Sequence, residues 1–294
     1  MRVVILGASG FIGQALVSEL GGTHDVVAVA RQRPDTAGSD DSGVRWIEAD
    51  LGNPEGAERA LAGAEVAVHL VHSLGSSDYA SRDLLIAENV ARAAERAGLS
   101  QIVYLSGLGD DSAALSDHLR SRHETGERLS SGRVPVTTLR AGMVIGRGSA
   151  AFETILALVD RLPAMICPRW VSTPTQPVAL ADVVGYLAGV IGLKSSFGQT
   201  FDVGGPDVMT YRSMIDRIAT VRGKHLYIVE VPVLTPRLSS WWLHLVTPVK
   251  ASVARPLIDG LRNPTVVEDD RIRALVPVAL TSFDDAVQDA LSTA

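Results

Sequence analysis

Residues 1–13 read Met1-Arg2-Val3-Val4-Ile5-Leu6-Gly7-Ala8-Ser9-Gly10-Phe11-Ile12-Gly13. The apolar run 3–6 is too short for a helix of its own and leads into three glycines spaced G-x-x-G-x-x-G. Outward from them, Ala15, Leu16, Val17 and Leu20 carry apolar side chains at helical spacing. Strand, glycine turn and helix follow one another within twenty residues. The first glycine permits a sharp turn, the second lets backbone approach a pyrophosphate, and the third lets the helix pack on the strand. Unpaired N–H groups at the positive end of the helix then form a seat for phosphate. The unit predicts a dinucleotide site built from Gly7, Ala8, Ser9, Gly10, Phe11, Ile12 and Gly13.

Further along, residues 25–30, 44–50, 65–70, 101–106 and 136–140 read as strands, with helices over 54–61, 82–97 and 118–129. This alternation predicts an α/β fold, a Rossmann-type doubly wound parallel sheet with right-handed crossovers. The strand order is expected to be 3-2-1-4-5-6, with ligand across the carboxyl ends of strands one and four. Beyond Gly142 the rhythm loosens. Helices are expected over 151–162, 181–191 and 211–222, strands over 200–203 and 227–231, and a connection at Pro163, Pro168, Pro174 and Pro177. The expected organisation is an NAD(P)-binding core over 1–150 and a small C-terminal substrate lobe over 151–294, partly interleaved with the core.

Composition narrows the function classes. A chain of 294 residues with 46% hydrophobic and 20% charged residues can bury a sizeable core and reads as globular. A net charge of −6 gives no reason to expect nucleic acid as partner. Cys167 is the only cysteine, so a disulfide framework or cysteine metal site is excluded. The first residues already read as strand rather than signal peptide. The longest apolar stretch, 183–193, is too short to span a bilayer. A cytoplasmic protein is expected.

An acid some twenty residues past the glycine turn would bond a ribose 2′-OH and select NAD. The end of the second strand instead offers Arg31, with Arg33 two residues on. Arginine can pair bidentately with a 2′-phosphate, so NADP(H) is expected in preference to NAD(H). The alternatives are that Arg31 covers the adenine face or solvent and that Asp35 reaches the ribose. Leu70, Val71 and His72, ending the fourth strand, would run beside the middle of the cofactor. His69 and His72 stand at i and i+3, but no third ligand is placed nearby and no metal is expected.

The string Gly7-Ala8-Ser9-Gly10-Phe11-Ile12-Gly13 resembles the extended and atypical short-chain dehydrogenase/reductase (SDR) superfamily. That resemblance places Asp50-Leu51, ending the third strand, near adenine. It also implies Tyr-x-x-x-Lys on the helix after the fifth strand and a Ser or Thr at that strand's end. Counting tests this: Tyr79, Tyr104, Tyr186, Tyr211 and Tyr227 are followed four residues on by Asp83, Leu108, Val190, Ile215 and Val231, and no lysine precedes Lys194. The motif is absent.

His118-x-x-x-Arg122 occupies its place, and i, i+4 residues share a helix face. Arg122 could hold a ribose or phosphate but cannot give up a proton. His118, with an ordinary pKa near 6.5, could act as acid or base. The competing reading makes both of them polar anchors without chemistry. Ser106 begins the run that would touch nicotinamide, although Gly107 replaces the usual next Ser or Thr. The candidate catalytic residues are therefore His118, Arg122 and Ser106.

Further strings, Leu70-Val71-His72-Ser73, 118–122, Leu139-Arg140-Ala141-Gly142, 145–153 and 204–207, resemble a bacterial group of NAD(P)H-binding atypical SDRs related to NmrA-like proteins and to the SDR-like subunit of respiratory complex I. Ala141 joins the expected cofactor contacts on this ground. The likeness implies fold and cofactor more firmly than activity.

Trp241 and Trp242 lie on an apolar helical stretch, 238–246. Such a stripe is either core or the wall of a lipophilic pocket, and Phe152, Met165 and Trp170 could line the same cavity. The leading expectation is an oxidoreductase that passes hydride from NADPH to a small apolar or quinone-like substrate, with His118 or water supplying the proton. The alternative is a non-catalytic NADPH-binding sensor or assembly factor with a protein partner or as a homo-oligomer. A nucleotide-sugar epimerase or dehydratase stands third.

Overall fold

The computed structural model describes residues 1–34, 43–73, 78–109, 115–231 and 260–292. The first half alternates β1 (Arg2–Leu6), α1 (Phe11–Leu20), β2 (Asp25–Ala30), β3 (Val44–Glu48), α2 (Pro54–Leu61), β4 (Val66–His69), α3 (Tyr79–Ala97), β5 (Gln101–Gly107), α4 (Asp117–Ser130) and β6 (Val136–Ala141). There follow β7 (Val144–Ile145), α5 (Ala150–Arg161), β8 (Ala164–Pro168), β9 (Pro174–Thr175), β10 (Val178–Ala179), α6 (Leu180–Val190), β11 (Thr200–Val203), β12 (Met209–Thr210), α7 (Tyr211–Val221) and β13 (Tyr227–Val231). Two helices close the described chain, α8 (Arg271–Leu275) and α9 (Phe283–Ser292).

Seven parallel strands form the central sheet in the order β11-β6-β5-β4-β1-β2-β3. This is the expected order with one strand added, as β11 pairs β6 from Thr200 opposite Thr138 to Val203 opposite Ala141. The sheet is a Rossmann-type doubly wound sheet. Alternation along each strand divides its side chains between two cores. Val3, Ile5, Val26, Ala28, Val66 and Val68 pack on α1 and α6, while Val4, Leu6, Val27, Val29 and Ala67 pack on α2 and α3. Val3 to Leu6 are wholly buried, and each such side chain stabilises the fold by about 1.5–3 kcal/mol. Both faces are covered, which is why these strands read as apolar runs rather than alternating patterns.

A third core joins α5, α7 and α9 through Phe152, Ile155, Met214, Ile218, Phe283 and Val287. Residues beyond 150 also return to the central sheet, as β11 at its edge and as α6 against α1.

β3, α3 and β8 depart from the sequence reading, beside β7, β9, β10, β12, α8 and α9, which it did not place. β3 ends at Glu48 rather than residue 50, because the Asp50 carbonyl accepts the Asn53 N–H at 3.1 Å and its Oδ1 accepts the Gly52 N–H at 3.0 Å, turning the chain into α2. α3 begins at Tyr79, a turn earlier than the alanine-rich stretch suggests. β8 lies inside the proline-rich connection, pairing β13 in parallel with Met165 opposite Ile228. Prolines at 163 and 168 bound this strand without interrupting it, where a missing N–H costs least.

Candidate functional site

Gly7 turns the chain at φ +88°, and its N–H and that of Ala8 both donate to the Val29 carbonyl at 3.0 Å. A side chain there would meet the Leu70–Val71 peptide at 3.1 Å. A Cβ on Gly13 would stand 2.3 Å from the Gly7 carbonyl oxygen, so α1 starts closer to the turn than any other residue allows. Gly10 is the N-cap of α1 and no side chain caps it. The first-turn N–H groups of Phe11, Ile12 and Gly13 thus have no partner within the helix. This is a seat that a phosphate fits.

The turn opens on a cavity of about 530 Å³. Gly7, Gly10, Phe11, Ile12 and Gly13 form one wall, and Leu70, His72, Ser106, His118, Arg122 and Ala141 line it from just past β4 and from β5, α4 and β6. Eleven of the expected site residues therefore meet in one place. His118 and Arg122 face it together, as their i, i+4 spacing requires. Leu108, Leu119, Met143, Val144, Tyr211 and Leu261 supply the apolar wall.

Other expected residues lie elsewhere. Ala8, Ser9, Val71, Arg31, Arg33, Asp50 and Leu51 do not border the cavity. Arg31 and Arg33 are exposed just beyond β2, where the Arg33 N–H donates to Glu48 Oε1 at 2.9 Å. Asp50 is exposed, and Leu51 is buried with its carbonyl held by Asn89 Nδ2 at 3.0 Å. Phe152 and Met165 do not line the cavity as expected; both are buried in the third core, because α5 and β8 turn their apolar sides to α7. Asp35, Trp241, Trp242 and the side chain of Trp170 lie outside the described residues.

The polar end of the cavity is electrostatically unusual. His72 Nδ1 lies 2.7 Å from Asp83 Oδ2, and Asp83 Oδ1 accepts the Ser73 N–H at 3.0 Å. The His72 and His118 rings are 5.1 Å apart, centroid to centroid. Arg122 turns its guanidinium to the Leu105 carbonyl and over the Tyr104 ring at 5.2 Å, and the Tyr104 hydroxyl donates to the Arg122 carbonyl at 2.9 Å. Burial, with His72 and Arg122 adding positive charge nearby, lowers the His118 pKa to about 3. Burial likewise lowers His72, although the Asp83 bond opposes it. For Asp83 burial works upward, but the His72 hydrogen bond and charge prevail and hold it below the usual carboxylate range. His69 is no partner to His72: it points into the second core beside Tyr104, with ring centroids 5.7 Å apart, and burial brings its pKa to about 3.

Asp83 is the residue that sequence reasoning missed. It shares a helical face with Ile86, Ala87 and Val90, at i, i+3, i+4 and i+7, and all four are buried. An acid on an otherwise apolar stripe must find a partner, and that was the available signal.

Gly107, which breaks the expected serine run, packs against Leu119, whose Cδ2 would stand 2.9 Å from a Cβ there and would have to shift.

Residues 7–145 match a protein family described as NAD(P)H-binding. That segment belongs to the NAD(P)H-binding family. The whole chain resembles reductase and epimerase folds of this kind. It is similar in structure to the NADPH-dependent quinone oxidoreductase QOR2 of Escherichia coli, solved with NADPH, at a TM-score of 0.80 and 21% identity over 99% of this chain and 100% of that one. In sequence it is 24% identical over 311 aligned positions to the mitochondrial NADH dehydrogenase 1 alpha subcomplex subunit 9 of Arabidopsis thaliana, covering 97% of this chain and 71% of that protein. It is 28% identical over 235 residues to an uncharacterized protein of Mycobacterium tuberculosis, covering 80% of this chain. The chain spans about a quarter, 25%, of that mycobacterial protein's length. Among the described residues no helix is long and apolar enough to cross a membrane.

Proposed function

We propose that this NAD(P)H-binding chain is an NADPH-dependent oxidoreductase acting on a small apolar or quinone-like substrate. The observation that carries the reading is the cavity of about 530 Å³, with the glycine turn on one wall, Leu108, Leu119, Met143 and Leu261 on another, and two imidazoles at its polar end. Phosphates would be held by the first turn of α1, with Leu70 and Ala141 alongside. Ser106 and Arg122, which line the same cavity, would meet the ribose and nicotinamide. A bound nicotinamide dinucleotide supplies hydride. The chain supplies an apolar wall that excludes water and orients the acceptor.

Preference for NADPH rests on Arg31. It lies two residues past Val29, whose carbonyl fixes the glycine turn. An exposed guanidinium there can reach a 2′-phosphate.

The absence of Tyr-x-x-x-Lys, together with the likeness to a complex I subunit, favours a second reading, a non-catalytic NADPH-binding sensor or assembly factor. Titrating NADPH and NADH and then following NADPH consumption with quinones, aldehydes and enones separates the two. Turnover of any class establishes the enzyme. Binding without turnover across the panel rejects it and leaves the sensor.

A further inference from the structure

The oxidoreductase reading leaves the transferred proton without a source, since the residues that would provide it in the SDR pattern are missing. His118 stands nearest their place. It makes a poor donor: among the described residues its Nδ1 is buried without a partner and no carboxylate is hydrogen-bonded to its ring.

His72 differs in two respects. Its Nδ1 faces Asp83 at 2.7 Å, and that carboxylate is itself fixed by the Ser73 N–H, so the ring has one orientation. Among the described residues its Nε2 is buried and has no hydrogen-bond partner, while the residue borders the cavity. A carboxylate on Nδ1 places the hydrogen there and leaves the Nε2 lone pair to face a ligand. It also stabilises the imidazolium once Nε2 takes up a proton.

We propose that His72, oriented by Asp83, is the group that exchanges a proton with the oxygen of a carbonyl or quinone substrate in this cavity. The inference rests on the oxidoreductase reading and gives it a catalytic residue and a substrate class. In reduction, a bound nicotinamide would supply hydride to the carbonyl carbon; as the C=O π pair moves to oxygen, the imidazolium Nε2–H bond breaks to give that oxygen its proton. In oxidation, Nε2 takes the hydroxyl proton as the carbon gives up hydride. Between turnovers Nε2 regains its proton from water admitted to the cavity that His72 borders. Asp83 is a positioning residue. Among the described residues, the groups facing His72 are Asp83 and Tyr79 from α3 and His118 and Arg122 from α4, with His69 of β4 close enough to act on it through charge. Burial first and then the Arg122 charge keep the His72 pKa low, while the Asp83 hydrogen bond and charge support the charged form.

The test uses the full chain. Imidazole 15N spectra, assigned with His72→Gln, are expected to show a neutral Nδ1–H tautomer at pH 8 and its loss of the hydrogen-bonded proton in Asp83→Asn. NADPH consumption is then followed with menadione and with 9,10-phenanthrenequinone, and NADPH affinity by fluorescence. His72→Gln is expected to lower kcat by about 100-fold or more while the NADPH Kd stays within about threefold. Asp83→Asn is expected to move the midpoint of the pH–rate profile, which a merely structural role would not do. An Nε2–H tautomer, or full turnover by His72→Gln, overturns the assignment and leaves the oxidoreductase reading standing. A wild-type chain that binds NADPH but reduces neither quinone, nor any aldehyde or enone, overturns both.

Discussion

A Cβ placed on Gly13 would lie 2.3 Å from the carbonyl oxygen of Gly7. It would also lie 2.8 Å from Ala8 Cα, so the obstruction is backbone on both sides and no side chain can move to relieve it. Gly13→Ala must therefore push α1 away from β1. Overpacking of this kind costs about 1–3 kcal/mol, here expected at the upper end. Gly22→Ala is the control, because nothing lies within 4 Å of its Cβ position. Urea denaturation should show a lower midpoint for Gly13→Ala and little change for Gly22→Ala. NADPH affinity should fall in the first variant alone.

The ion pair between Arg140 and Asp202 ties β6 to β11. Arg140 Nε lies 2.7 Å from Asp202 Oδ1, and Asp202 Oδ2 accepts the N–H groups of Glu268 and Asp269 at 3.1 and 3.2 Å. Asp202 is 1% exposed and Arg140 21%. Arg140→Met leaves a buried acid with two backbone donors but no countercharge. Losing one partner of a fully buried pair costs about 3–5 kcal/mol, and the remaining donors and partial exposure reduce this to about 2 kcal/mol. A denaturation midpoint equal to wild type would show that β11 is held by packing alone.

Acid sensitivity follows from two histidines, His69 buried and His118 half-buried at the cavity. His69 and His118 are each lowered from 6.5 to about 3, by burial first. Their folded-state values lie below the unfolded ones, so the unfolded chain binds more protons between pH 6.5 and about 3. Stability is complete above 6.5 and falls as pH drops through that window, by at most about 1.4 kcal/mol per pH for each imidazole. His118→Gln should flatten the pH dependence of the urea midpoint over that range. An unchanged slope would mean that His118 is solvated and charged in the folded chain.

The fold was legible because β1, the glycine turn and α1 are local, and their residues admit one arrangement. Periodicity likewise located the parallel strands, since both faces of the sheet are buried and each strand is a short apolar run. What sequence could not supply was contact at distance. Asp83 and His72 are eleven residues apart in sequence, and only the packing of α3 on the sheet brings them together. Asp50 and Leu51 were placed by resemblance to the superfamily, and their surroundings depend on an Asx turn that propensity does not reveal. Phe152 was assigned to the cavity by its chemistry, but an aromatic ring suits a core equally, and α5 faces it inward.

Cys167 should behave as an inert thiol. It is buried, and burial raises its pKa to about 11, against the opposing effect of Arg212. The thiolate is the reactive form, so native protein should resist a thiol reagent such as DTNB at pH 8 and react once denatured. As Cys167 is the only cysteine, one equivalent per chain is expected in urea. Rapid reaction without denaturant would mean that the β8–β13 pair opens far more readily than its packing on the third core implies.

Arg31 offers the sharpest separation between cofactors. NADPH and NADH differ by one 2′-phosphate, so a residue that pairs with it must affect one affinity and spare the other. Arg31 is exposed at the carboxyl end of β2, and Glu48, whose carboxylate takes the Arg33 N–H, lies nearby. Arg31→Glu puts a second acid beside the phosphate. NADPH affinity is expected to weaken by at least about tenfold, about 1.4 kcal/mol, with NADH changed by less than threefold. A charge reversal also alters the long-range field, so Arg133→Glu serves as control. Arg133 is exposed, pairs with Glu95 at 3.2 Å and precedes β6 at the amino end of the sheet. Titrations at two salt concentrations distinguish the effects, because a field effect fades with screening. Equal loss for both cofactors would assign Arg31 to the adenine or to general steering. Unchanged NADPH affinity would remove the basis for preferring NADP(H).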